Sequence, residues 1–210
     1  MANEKVIGDI LKGLSEIVVP EKKEPSIRSS ALKEFASTIA KEGYQFSEEM
    51  LNALIYYMKG YNICLLGNVG VGKTFFFDCI NSVRRKRGSD GIVKLSMIET
   101  QGWTMKDAVD WAHYTVGYDV LIDDVGAEPA ISHYGQKLEL FPYLLEKRMG
   151  VFGRRTHVTS NLGGADILKR YERRVGDRMA QMFKIVQLKA KKSRRKSAAW
   201  NPPSEGSVAQ

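Results

Sequence analysis

Gly67-Asn68-Val69-Gly70-Val71-Gly72-Lys73-Thr74 follows directly on the apolar run Asn62-Ile63-Cys64-Leu65-Leu66. The pair has the layout of a strand that empties into a glycine-rich loop and then a helix, and the loop fits G-x-x-x-x-G-K-[ST] without a mismatch. Its glycines open backbone conformations barred to other residues. Successive N–H groups can then turn inward on a polyphosphate, while the following helix directs its positive dipole end at the same anion. Lys73 has the reach for β- and γ-phosphates. Thr74 offers a hydroxyl to Mg²⁺, which prefers one or two protein oxygens alongside phosphate oxygens. The loop is expected to cradle a nucleotide.

Outward from this loop the chain alternates in the manner of a parallel α/β sheet. Upstream, helical spacing covers residues 29–43 and 47–59, the second with Ser47 as N-cap, Glu48 and Glu49 in its first turn and Gly60 at its end. Downstream, the helix opened by the loop runs to Val83, with Arg84-Arg85-Lys86-Arg87 at its C-terminal end. Further strands are expected at Ile92-Val93-Lys94-Leu95-Ser96, Val120-Leu121-Ile122, Thr156-His157-Val158 and Lys184-Ile185-Val186-Gln187-Leu188. Helices are expected over residues 104–113, over 135–149 with a kink or break at Pro142, and over 165–182 with an interruption.

The 210 residues, 43% of them hydrophobic, suit one domain with tails. Cys64 and Cys79 have neither metal-type nor disulfide spacing and read as small buried apolar residues. No signal-peptide pattern opens the chain, and no apolar run approaches the roughly 18 residues of a membrane span. A cytoplasmic protein without membrane attachment is therefore expected. The net charge of +8 is concentrated in Lys189, Lys191, Lys192, Arg194, Arg195 and Lys196, which supply six of the eight. The domains read as an N-terminal arm and linker suited to partner binding (1–24), a helical lead-in (25–60), a nucleotide-binding core (61–190) and a basic, disordered tail (191–210).

In sheets of this kind ligands sit beyond the carboxyl ends of the strands. Asp123 and Asp124 end the strand Val120-Leu121-Ile122. Asp123 is placed to hold Mg²⁺, directly or through water, and Asp124 to orient an attacking water. Adjacent carboxylates repel, and a divalent cation with a nearby lysine relieves that repulsion. After the strand at Thr156, Asn161 carries an amide able to donate to a γ-phosphate and accept from a water.

The phosphate loop, Leu121-Ile122-Asp123-Asp124-Val125-Gly126-Ala127-Glu128, Thr159-Ser160-Asn161 and Arg174-Val175-Gly176-Asp177-Arg178-Met179 occur in that order. They resemble the Walker A, Walker B, sensor 1 and arginine-finger elements of DnaC/DnaI-type replicative helicase loaders and the related IstB-type transposition ATPases, a branch of the AAA+ superfamily. The similarity covers about residues 45–190. It implies a P-loop NTPase with a five-stranded parallel sheet in the order 5-1-4-3-2, the Asn161 strand lying between those of Walker A and Walker B. It also implies Arg178, or second to it Arg174, as a finger supplied to a neighbour's ATP. The two are four apart and share a helix face.

The resemblance implies an ATPase that assembles as a homo-oligomer, contacts single-stranded DNA and delivers a replicative helicase. An IstB-like regulator of a transposase on duplex DNA and a nucleotide-gated adaptor with little turnover are the alternatives. ATP is favoured over GTP because no N-K-x-D-like motif is present. AAA+ ATPases usually have Glu where Asp124 stands, so the resemblance implies slow hydrolysis, and no lid domain is expected after Lys189. Trp103 is a candidate for stacking on DNA, Trp111 for the core. The Arg84 to Arg87 cluster fits both phosphate contact and helix-end capping.

Overall fold

The computed structural model describes residues 29–41, 43, 46–133 and 136–189. The expectations for an N-terminal arm (1–24) and a basic tail (191–210) concern residues outside those described.

Two helices, α1 (Ser29–Lys41) and α2 (Glu48–Met58), precede the first strand, β1 (Ile63–Leu66). Ser47 caps α2, its hydroxyl accepting from the Met50 N–H. Then follow α3 (Lys73–Lys86), β2 (Val93–Ser96), α4 (Met105–Tyr114), β3 (Val120–Val125), a hairpin of β4 (Ile131–His133) and β5 (Gln136–Leu138), α5 (Leu140–Met149), β6 (Thr156–Ser160), α6 (Gly164–Met182) and β7 (Lys184–Gln187). The main sheet has the order β2-β3-β6-β1-β7 with every pair parallel. This is the expected order read from the other edge.

Strand side chains alternate between faces, and each face has its own core. Ile63, Leu65 and Leu121 point to one side, where Phe35, Ile39, Leu54, Phe76, Phe77 and Ile80 from α1, α2 and α3 cover them. Cys64, Leu66, Ile122 and Val158 point to the other, against Ala108, Phe141, Leu144, Tyr171 and Met179 from α4, α5 and α6. Both cysteines are buried, as expected of small apolar residues, and burial pushes the Cys64 thiol far above its ordinary value.

Two expectations need correction. The helix expected over 135–149 begins later: residues 136–138 pair antiparallel with Ile131–His133, and α5 starts at Leu140. Gln, Lys and Leu are good helix formers, but intrinsic propensity is a weak preference that the strand pairing overrides here. Pro142 does not kink α5 either. It falls in the first turn, where a backbone N–H has no intrahelical partner to lose. The interruption in the last long helix is located at Glu172, whose φ of 67° and ψ of 166° are not helical.

The amino-terminal end of the sheet is fastened by buried charge. Asp119, just before β3, accepts from Arg84 Nη1 at 2.6 Å, from the Arg155 backbone N–H at 2.8 Å and from Arg155 Nη2 at 3.0 Å. Burial alone would raise this carboxyl, but the Arg155 N–H and the two guanidinium groups outweigh it and hold Asp119 at about 2. Buried Arg148 donates to Thr156 Oγ1 and to the carbonyls of Thr115, Tyr118 and Arg155, tying α5 to the starts of β3 and β6. Buried charges are stable only when satisfied in this way.

Candidate functional site

At the opposite, carboxyl-terminal end of the sheet, β1 runs into the glycine loop. Gly67 has a φ of 151°, and a Cβ there would stand 2.9 Å from the Leu188 carbonyl oxygen. Only glycine fits this approach of the loop to the chain end of β7. The loop then turns through Gly70 and Gly72, with φ of 81° and 94°, and α3 starts at Lys73. Residues 67–74 therefore take the strand–loop–helix arrangement that a phosphate cradle requires.

Lys73 is buried, and its ammonium donates to Gly67 O at 2.7 Å, Asn68 O at 3.0 Å and Asn161 Oδ1 at 2.7 Å. The first two bonds fold the lysine back over its own loop; the third joins the loop to the end of β6. Asn161 Nδ2 in turn donates to Asp124 Oδ1 at 3.2 Å. Lysine, amide and carboxylate thus form one chain across α3, β6 and β3. A parallel chain runs beside it: Thr74 Oγ1 donates to Asp123 Oδ1 at 2.9 Å, and Thr159 Oγ1 donates to the same oxygen.

The two carboxylates diverge because the backbone is irregular there. The β3–β6 register shifts between Ile122 and Val125, and Asp124 is left-handed with a φ of 57°. Aspartate tolerates that region better than most residues. The bulge aims Asp123 at Thr74 and Asp124 at Asn161, and the Asp124 N–H donates to Thr159 Oγ1 at 3.0 Å. Thr159 thus serves both neighbours, a role that sequence reading did not assign it, although it lay in the quoted Thr159-Ser160-Asn161 run.

Glu128 is a second residue whose role was not foreseen. Its Oε2 accepts from the Gly126 N–H at 2.7 Å, its Oε1 from the Tyr171 hydroxyl, and its carbonyl from Arg170 at 3.0 Å. Buried Glu128 therefore splints the turn after β3 to α6. Burial, reinforced by the Glu128 charge, pushes the Tyr171 hydroxyl far above its ordinary value, so it stays a donor.

The arginines lie apart from this network. Arg178 Nη1 pairs with Glu146 Oε2 of α5, and Arg174 is exposed without a hydrogen bond or ion pair among the described residues. Trp103 and Trp111 are both partly buried against the second core, which accounts for Trp111 as expected and places Trp103 in packing as well. Among the described residues no group of three metal-ligating side chains occurs, and no helix is long and apolar enough to cross a membrane. The donors Thr74 and Asp123 are a hydroxyl and a carboxylate, the hard oxygen pair suited to Mg²⁺ held together with phosphate.

No family model matches the chain, and no curated protein does. Solved structures do. The chain is similar to the DnaC helicase loader, with a TM-score of 0.53 and 18% identity over 75% of this chain and 99% of that one. It is also similar to AMPPCP-bound DnaA from Aquifex aeolicus, with a TM-score of 0.50 and 18% identity over 70% of this chain and 49% of that one. A DnaA replication initiator bound to AMPPCP and single-stranded DNA matches with a TM-score of 0.50 and 16% identity, over 73% of this chain and 50% of that one. The chain spans about half the length of the DnaA structures it matches. The likeness, together with the sheet order, defines the fold as a P-loop NTPase core of the AAA+ type.

Proposed function

We propose that this protein is a replication-related ATPase of the helicase-loader kind, binding ATP with magnesium at residues 67–74 and assembling with copies of itself. One observation carries the reading: Lys73, Asn161 and Asp124 share a hydrogen-bonded chain while Thr74 and Asp123 meet beside it. Polar groups from three separate elements converge where the glycine loop ends, as a γ-phosphate site needs.

On binding, Lys73 exchanges Asn161 Oδ1 for phosphate oxygen, which frees the Asn161 amide to hold a water near Asp124. Asp124 orients that water and takes up its proton. Thr74 and Asp123 would hold magnesium, which neutralises phosphate charge when bound. Arg178, or Arg174, of a second copy supplies positive charge to the transition state. The short reach of Asp124 suits slow turnover, and delivery of a helicase to single-stranded DNA is the role that best fits a slow, assembly-dependent site.

A fluorescent ATP analogue should bind the full chain, and Lys73→Ala should lose at least tenfold in affinity. Wild-type affinity in that variant overturns the cradle. Capture of the replicative helicase of the same replicon by the full chain supports the loader role, and capture of a transposase instead overturns it.

A further inference from the structure

The end of the sheet remote from the glycine loop has features that nucleotide binding does not use. Asn62, Asp119 and Arg155 immediately precede β1, β3 and β6, and with Gly60, Gly153 and Arg154 they line an open cleft of about 460 Å³. That size lies in the ~300–1,000 Å³ range of small-molecule sites. Beside it, Phe152 stands 93% exposed on the turn that leads into β6. A large aromatic side chain held so fully in water, between Gly150 and Gly153, has no packing role in the fold.

We infer that this end of the sheet binds single-stranded DNA, with Phe152 stacking on a base and Arg154 and Asn62 holding the adjoining phosphate and base edge. The inference rests on the proposed function's reading that the protein meets single-stranded DNA.

Charge favours this occupant. Asp119, the carboxylate in the cleft, is already engaged by Arg84 and Arg155, so it does not repel a phosphate as a bare carboxylate would. Arg154 pairs with Asp90 at 4.0 Å, both side chains well exposed, and such a pair yields readily to a better anion. Asn62 Oδ1 accepts from the Thr156 N–H, which fixes the amide and leaves Nδ2 as a donor in the cleft. The C-terminal end of α3 adjoins it: Arg84 Nε donates to the Asp90 carbonyl, Arg85 next to it is exposed, and Arg87 is held toward α1 by an exposed pair with Glu34. The basic run that helix-end capping explained only in part thereby gains a ligand.

An unpaired strand fits better than a duplex. Only unpaired bases offer a face to an aromatic ring, and stacking beside cations is the general mode of sequence-tolerant single-strand binding. Strands of this length separate the cleft from the glycine loop by roughly 15 Å, so DNA and nucleotide can be bound together.

Anisotropy of a labelled oligodeoxythymidylate with the full-length protein tests the inference. Phe152→Ala should weaken binding roughly tenfold. Arg154→Glu should reduce the slope of log affinity on log salt by roughly 0.7 for each phosphate that the arginine no longer neutralises. Neither variant should change the affinity for a fluorescent ATP analogue. Because the basic tail also attracts polyanions, Phe152→Trp provides a local readout: emission beyond that of the wild-type tryptophans should be quenched on adding the oligonucleotide.

Wild-type affinity in both variants, or unquenched added emission, overturns the inference and leaves the ATP site standing. Equal binding of duplex DNA, or tighter binding of oligouridylate, overturns the assignment to single-stranded DNA. If the wild-type protein binds no oligonucleotide, the DNA contact falls from both this inference and the proposed function, whereas loss of ATP analogue binding alone falls on the cradle.

Discussion

Arg178 of α6 donates from Nη1 to Glu146 Oε2 of α5 at 3.0 Å, and this ion pair holds the arginine against its own subunit. If Arg178 serves a neighbour's ATP, Glu146 competes for it. Glu146→Ala should then raise the concentration-dependent part of ATP turnover several-fold, while Arg178→Ala should remove it. The pair is partly exposed, and neither change should cost more than about 1 kcal/mol of stability. Equal turnover in all three proteins would leave the arginine with a structural role only.

Thr159 should be the most sensitive hydroxyl in the site. Thr159→Val keeps the shape but removes one of the two donors to buried Asp123 Oδ1 and the hydroxyl that accepts from the partly buried Asp124 N–H. A loss of about 1–3 kcal/mol in urea unfolding is expected, with a raised magnesium requirement for nucleotide binding. Thr159→Ser should restore most of both.

Acid should destabilise the fold well above the range where surface carboxylates titrate. His157 is buried between Tyr57 and Phe77, its Nδ1 accepting from the Ile63 N–H and its Nε2 without a partner among the described residues. Burial, with the charge of Arg155 acting in the same direction, lowers its pKa from 6.5 to about 3. The unfolded chain therefore binds a proton that the folded one refuses, and stability falls as pH drops from 6.5 toward 3, by up to about 1.4 kcal/mol per pH unit. Asp119, at about 2 against an ordinary 3.8, adds the same sign of loss below pH 3.8. Urea midpoints from pH 7 to 4 should show the decline, and His157→Gln should flatten it.

Glu172 occupies a backbone region that is essentially glycine's own, with a φ of 67° and a ψ of 166°. Glu172→Gly should raise stability by about 1 kcal/mol despite the extra freedom it gives the unfolded chain. An unchanged or lower urea midpoint would mean that this side chain repays its strain.

The strands of the main sheet and the polar residues at their carboxyl ends were legible because apolar runs, a glycine loop and polar strand ends are local patterns, whereas the order of the strands was what the resemblance to AAA+ proteins implied. Asp123 and Asp124 could be placed from the apolar run that precedes them within β3, and Asn161 from the strand that it follows. Thr159 and Glu128 could not, because their roles depend on a register shift in β3 and on the approach of α6, and neither is written in a local pattern. Residues 136–138 read as helix for the same reason: the pairing with Ile131–His133 that makes them a strand is a tertiary event. Pro142 misled because its effect depends on which turn of the helix it enters.

The break at Glu172 gives α6 two masters. Its first half is anchored through Arg170 and Tyr171 to Glu128, hence to the turn behind the Asp123-Asp124 pair. Its second half, with Arg174 and Arg178, answers to α5 through Glu146. A straight helix would carry any shift rigidly from one end to the other. A jointed one lets the half anchored to that turn shift while the half that pairs with α5 stays docked, the change of angle being taken up at a single residue.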